Sequence, residues 1–183
     1  YDFWDNKIRR SVLFDAKADY LLYGMADRSI IELARALQHN RSPEDIRGLC
    51  YISSREKYEY IKLPSYQEVQ QNEQKFIKMF DLFYKNCDPV NGQGLYQKMD
   101  TRFLVQNPPA HYLSRAELDE IYGLNFEHQQ HPYYRKMGKV RALDTIANSI
   151  PTHRGCYGEC NFCAIAVHEG RRVRWRSEQS ILQ

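Results

Sequence analysis

The sequence has no apolar run approaching the roughly 18 residues that cross a bilayer, so no membrane-spanning helix is expected. It lacks a strong charge of either sign: 26 basic against 23 acidic side chains leave +3, too little by itself to argue for a nucleic-acid or membrane surface. There is no internal repeat and no low-complexity tract, which excludes a repeat array. The chain begins Tyr1-Asp2-Phe3-Trp4, with neither an initiator Met nor a signal peptide, so it is expected to be an excised or processed piece. The five cysteines are odd in number and bunched, unlike the even framework of a small secreted disulfide protein. What is present is a chain of 183 residues, 43% hydrophobic and 13% aromatic. That excludes disorder throughout and suits one domain, or one domain and a piece of another.

Hydrophobic patterning predicts an α/β chain. Residues 17–25 read as a buried strand closed by Gly24, followed by a helix with Asp27 at its N-cap and a stripe of Ile30, Ile31, Leu33, Ala34 and Leu37. After a single helical turn at 42–45, residues 49–53 read as a second strand. Strand, helix and strand with short links predict a βαβ unit on a parallel, partly doubly wound sheet. Residues 58–63 predict an edge strand. Ser65 and Glu68 form a capping box that opens a helix to about Asn86, whose Val69, Phe76, Ile77, Phe80 and Phe83 are assigned to the core. Residues 91–94 mark a turn, and 102–106 predict a strand stopped by Asn107-Pro108-Pro109.

A second capping box, Ser114 with Glu117, opens a short helix expected to end with Gly123 at C′. Residues 125–138 read as irregular, with His128 and His131 as loop histidines rather than metal ligands. Residues 146–150 predict a short buried strand running into a cysteine loop. Residues 173–176 predict another strand, and Ser177 caps a further helix. The expected division is an N-terminal α/β region at 1–107, a connector with a short helix at 108–143, and the opening of a second domain at 144–183.

Cys50 and Cys87 read as small buried hydrophobes. Cys156, Cys160 and Cys163 fall within eight residues in a C-x3-C-x2-C spacing, with Gly155 and Gly158 allowing the backbone to fold tightly around one centre. Three thiolates so close repel one another unless a metal neutralises them, and soft sulfur ligands select zinc or an iron–sulfur cluster. Zinc needs four protein ligands, for which His153 or His168 is the available fourth. Three cysteines fit three irons of a 4Fe-4S cube, with one iron left open. The spacing leaves both readings standing.

The same loop, with Phe162 just before the third cysteine, is similar to the signature of the radical S-adenosylmethionine (SAM) superfamily. The runs 149–156 and 161–165, the Asn107-Pro108-Pro109 connector, residues 118–122 and 131–133, and the region 20–36 resemble the YgiQ-type family of radical SAM proteins. That resemblance implies a 4Fe-4S cluster on Cys156, Cys160 and Cys163, and SAM chelating the fourth iron. It implies reductive cleavage of SAM to a 5′-deoxyadenosyl radical, with the cofactor carrying the chemistry. Phe162 would lie beside the adenosine, or would pack the loop on the first barrel strand. The implied partners are a substrate not identified by the sequence and a low-potential electron donor such as flavodoxin or ferredoxin, in the cytoplasm and without a membrane.

The region 18–52 resembles part of a cobalamin-binding fold, but the Asp-x-His-x-x-Gly pattern of a cobalamin ligand is missing, so a degenerate version without cobalamin is expected. A radical SAM barrel places the cluster loop after its first strand, and only 20 residues (183 − 163) follow Cys163. The chain is therefore expected to hold an incomplete barrel and to be inactive alone. Arg154 is a candidate to offset the cluster's charge. Arg171, Arg172, Arg174 and Arg176 read as a solvated face more readily than as a nucleic-acid contact. The alternative function is a zinc-binding interaction module using these arginines on nucleic acid.

Overall fold

The computed structural model describes all 183 residues, which form two compact units: residues 1–112 with 155–171, and residues 113–154 with 172–183. No helix is long and apolar enough to cross a membrane.

The first unit is built on five strands, β1 (Tyr20–Leu22), β2 (Leu49–Ser53), β3 (Ile61–Lys62), β4 (Leu95–Met99) and β5 (Arg102–Gln106), in the order β1-β2-β5-β4-β3. The sheet is mixed: every neighbouring pair is antiparallel except β3 with β4. The chain is thus α/β in composition, but the parallel βαβ unit expected at its start is not formed. The reason lies in the return path. The α2 helix (Asp27–Gln38) is 12 residues long and descends about 18 Å at 1.5 Å per residue. Residues 39–48 then carry the chain back to the start of the helix, where Ser29 Oγ donates to the Arg47 carbonyl at 2.7 Å. β2 therefore sets out from the end that β1 had reached, with Leu22 opposite Leu49, and runs the other way.

One face of the sheet carries the core. Tyr20, Tyr51, Val105 and Tyr96 lie opposite one another across four strands. Leu49, Phe103 and, from α2, Leu33 complete the buried cluster. The preceding helix, α1 (Val12–Asp15), is capped by Ser11.

The predicted single helix from Ser65 is two helices, α3 (Tyr66–Gln71) and α4 (Glu73–Lys85). Asn72 is extended at φ −144° and ψ 115°, and its side chain accepts from Gln74 N and Lys75 N, so it ends one helix and caps the next. Val69 is buried as expected. Ile77 and Phe80, assigned to the core from their spacing, are half exposed.

Asn107 is more than the boundary its prolines suggested. Its side chain is 1% exposed and donates Nδ2 to the Glu44 and Ile46 carbonyls at 2.7 Å each. Its Oδ1 accepts from Tyr60 Oη at 3.1 Å, and its carbonyl accepts from Tyr23 Oη. Three segments distant in sequence, at Tyr23, Glu44–Ile46 and Tyr60, meet on one residue.

The second unit contains α5 (Arg115–Tyr122), a 3-10 helix (Pro132–Met137), α6 (Leu143–Ile146), the two-residue strands β6 (His153–Arg154) and β7 (Arg174–Trp175), and α8 (Glu178–Leu182). The capping box of Ser114 with Glu117 and the Ser177 cap both form. Gly123 closes α5 at φ −84°, in ordinary right-handed backbone rather than the left-handed C′ geometry expected. The strand expected at 146–150 is not formed. Ile146 ends a helical turn and, like Ile150, is more than half exposed; the strand is confined to β6. Tyr122 receives two cations in this unit: the guanidinium carbons of Arg154 and Arg176 lie 5.1 and 4.7 Å from its ring centroid.

Candidate functional site: the cysteine loop

The cysteine loop is anchored within the first unit. Gly155 N donates to the Glu169 carboxylate at 2.8 Å and Cys156 N to the Gly170 carbonyl at 3.0 Å, stitching the loop's entry to the end of α7 (Ile165–Glu169). Gly170 sits at φ +92°, and a Cβ there would collide with the Tyr112 ring, so only glycine fits. Tyr112 Oη accepts from Arg171 N at 3.0 Å and donates to Asp88 at 3.2 Å. The Arg171 side chain donates to Glu159, between the first two cysteines, and to the Tyr84 carbonyl at 3.2 Å. Partial burial works against its charge, but these partners hold its pKa above the ordinary value.

Within the loop, Gly158 N donates to Cys156 Sγ at 3.3 Å, and Cys160 Sγ faces the Gly158 carbonyl at 3.9 Å. A Cβ on Gly158 would stand 3.3 and 3.7 Å from those two sulfurs, so the missing side chain leaves the space between them clear. Cys163 N donates to the Cys160 carbonyl at 2.9 Å, which places the third cysteine one turn further along. Cys156 and Cys163 are half-buried and Cys160 is exposed.

The donor set, three soft thiols on one anchored loop, fits an iron–sulfur cluster in its chemistry. The three sulfurs are not drawn together here: no three His, Cys, Asp or Glu side chains are gathered to hold a metal ion. The same finding applies to the four-ligand zinc set, and His153 Nδ1 is engaged with Thr152 Oγ1 at 2.9 Å.

Residues 1–149 match the family described as radical SAM N-terminal. The chain belongs to that family. It is homologous to UPF0313 proteins, the YgiQ-type group. A UPF0313 protein of Fusobacterium nucleatum is 52% identical over 183 residues, covering all of this chain and 32% of that protein. One from Thermotoga neapolitana is 43% identical over 186 residues, and one from Clostridium botulinum 39% over 188, covering 33% and 29% of those proteins. The chain thus spans about a third of the length of these curated relatives. No solved structure matches.

In this radical SAM N-terminal chain, the other candidate residues take varied roles. Phe162 is 93% exposed, so it does not pack the loop on a strand. Arg154 Nε donates to Tyr122 Oη at 3.0 Å. Arg176, expected on a solvated face, is buried, giving Nη1 to the Pro151 carbonyl at 3.0 Å and Nε to Ser180 Oγ at 3.1 Å. His131, expected in an irregular stretch, caps the 3-10 helix at Pro132–Met137, its Nδ1 accepting from Tyr133 N at 3.1 Å. Burial pushes the Cys50 thiol up to about 12. Burial also raises Cys87, with Arg171 opposing it. The residues that sequence reasoning missed are Tyr84, Tyr112, Glu169 and Gly170. The signal available for them was the Gly-Arg pair at 170–171 immediately after the short helix.

Proposed function

We propose that this chain carries the cluster-binding segment of a radical SAM enzyme, with Cys156, Cys160 and Cys163 as the ligands of a 4Fe-4S cluster. The observation that supports this most is the C-x3-C-x2-C loop pinned at its entry to α7, with the Cys156 and Cys160 sulfurs on either side of a glycine. A bound cluster would supply the single electron that cleaves SAM into methionine and a 5′-deoxyadenosyl radical, which takes hydrogen from the substrate.

The protein's own part is positional and electrostatic. Three thiols must lose their protons to become ligands, and that accumulating negative charge favours a nearby cation. Arg171 supplies one, and through Glu159 it holds the backbone between two of the ligands. Phe162 offers an unobstructed ring for the adenosine. The setting is cytoplasmic, where thiols stay reduced and a flavodoxin- or ferredoxin-type donor delivers the electron.

The test is anaerobic incubation of a full-length UPF0313 relative, reconstituted with iron and sulfide, with reductant and SAM. Formation of 5′-deoxyadenosine supports the reading; SAM left intact by a protein that carries its cluster overturns it.

A further inference from the structure

The second unit has a cleft that the cluster does not use. It lies between the start of α5 and β7, has a volume of about 460 Å³, and is lined by Arg115, Arg172, Val173, Arg174 and Trp175. That volume is in the range of small-molecule sites. No carboxylate is among the lining residues, and three of the five carry a guanidinium.

Two of these side chains are held in place. Arg174 donates Nε and Nη2 to the Leu113 carbonyl, both at 3.2 Å. The Arg115 guanidinium carbon lies 5.5 Å from the Trp175 ring centroid. Trp175 is still 56% exposed, so much of its indole remains free to meet a ligand. Guanidinium forks match the oxygens of a phosphate, and an exposed indole stacks on a planar base. Both groups at one cleft call for a ligand that has both parts.

We propose that this cleft binds a nucleoside phosphate, the phosphate on the arginines and the base on Trp175. The site contains no cysteine, and its test does not depend on the cluster.

The chain has two tryptophans, so a Trp4→Phe background makes Trp175 the sole indole reporter. The metal-free protein is titrated with 5′-AMP, inorganic phosphate and a short single-stranded oligoadenylate. The expected result is saturable quenching of Trp175 by 5′-AMP, and none by phosphate alone. Arg172 and Arg115 are exposed, and Arg172→Gln and Arg115→Gln are titrated once circular dichroism and the denaturation midpoint match those of the parent protein. Each should weaken 5′-AMP binding by about tenfold, the equivalent of one lost charge-assisted contact. By calorimetry, Trp175→Ala should cost a similar factor for 5′-AMP and little for phosphate. An oligoadenylate that binds far more tightly than 5′-AMP, with a steep salt dependence, identifies RNA as the source of the nucleotide; equal affinity identifies the free nucleotide. Absence of saturable quenching by either, binding of phosphate as tight as that of 5′-AMP, or quenching unchanged in both arginine variants overturns the proposal.

Discussion

Arg171 lies over the ring of Tyr84, its guanidinium carbon 4.5 Å from the ring centroid, and donates Nη2 to the Tyr84 carbonyl at 3.2 Å. With its ion pair to Glu159, this links the last turn of α4 to the backbone between Cys156 and Cys160. Arg171→Ala should lower stability by about 1–2 kcal/mol in urea denaturation, the range of a charge-assisted hydrogen bond discounted for partial exposure. It should also speed proteolytic cleavage within residues 156–163. Arg171→Lys keeps the charge but loses the planar fork, and should recover only part of the loss. An unchanged midpoint and an unchanged cleavage rate in the Ala variant would show that the loop does not depend on this contact.

Asn107 should be far less replaceable than its place before two prolines implies. Asn107→Ala strips the donors from two backbone carbonyls and the acceptor from Tyr60 Oη, all around a buried side chain. The expected cost is about 3 kcal/mol, read from urea denaturation. The exposed Asn125 serves as the control, and Asn125→Ala should move stability by less than about 0.5 kcal/mol. Equal effects at the two positions would show that the hydrogen bonds of the Asn107 side chain do not hold these segments together.

The capping box at Ser65 should be visible in acid. The Glu68 carboxylate accepts from Ser65 N and Ser65 Oγ, both at 2.8 Å, and these bonds, with Lys75, hold its pKa down at about 2, below its ordinary 4.5. A depressed carboxyl contributes stability that is fully present above the unfolded value and is lost as pH falls through the folded one. Wild-type protein should therefore exceed Glu68→Gln in stability at neutral pH. The difference should shrink between pH 4.5 and 2 and vanish below. A difference that stays constant across that window in denaturation titrations would mean the Glu68 charge is not responsible.

What the sequence disclosed was local. Ser65, Ser114 and Ser177 announce their helices because a cap acts within three residues of itself. β2 and β5 are legible from runs of apolar and β-branched residues, and the cysteine triplet from spacing. What stayed hidden depends on distant partners. The direction of β2 follows from the return of residues 39–48 to the start of α2, where Ser29 meets Arg47, and nothing in a strand–helix–strand pattern fixes that return path. Asn72 broke the long helix from within a pattern that was otherwise helical. The apolar run 146–150 looked like a strand but is exposed at Ile146 and Ile150. Asn107, Arg171 and Tyr112 make their bonds to residues dozens of positions away. Arg176 read as a surface charge because a single sequence does not show the tyrosine face and the carbonyls that receive it.

The central claim is that Cys156, Cys160 and Cys163 together hold a 4Fe-4S cluster. Anaerobic reconstitution of the chain, followed by iron and sulfide analysis of wild type beside Cys160→Ala, tests it most directly. The account predicts about four irons and four sulfides per wild-type chain and loss of the cluster in the variant. Tight zinc without sulfide in wild type, or iron content unchanged in Cys160→Ala, would contradict it.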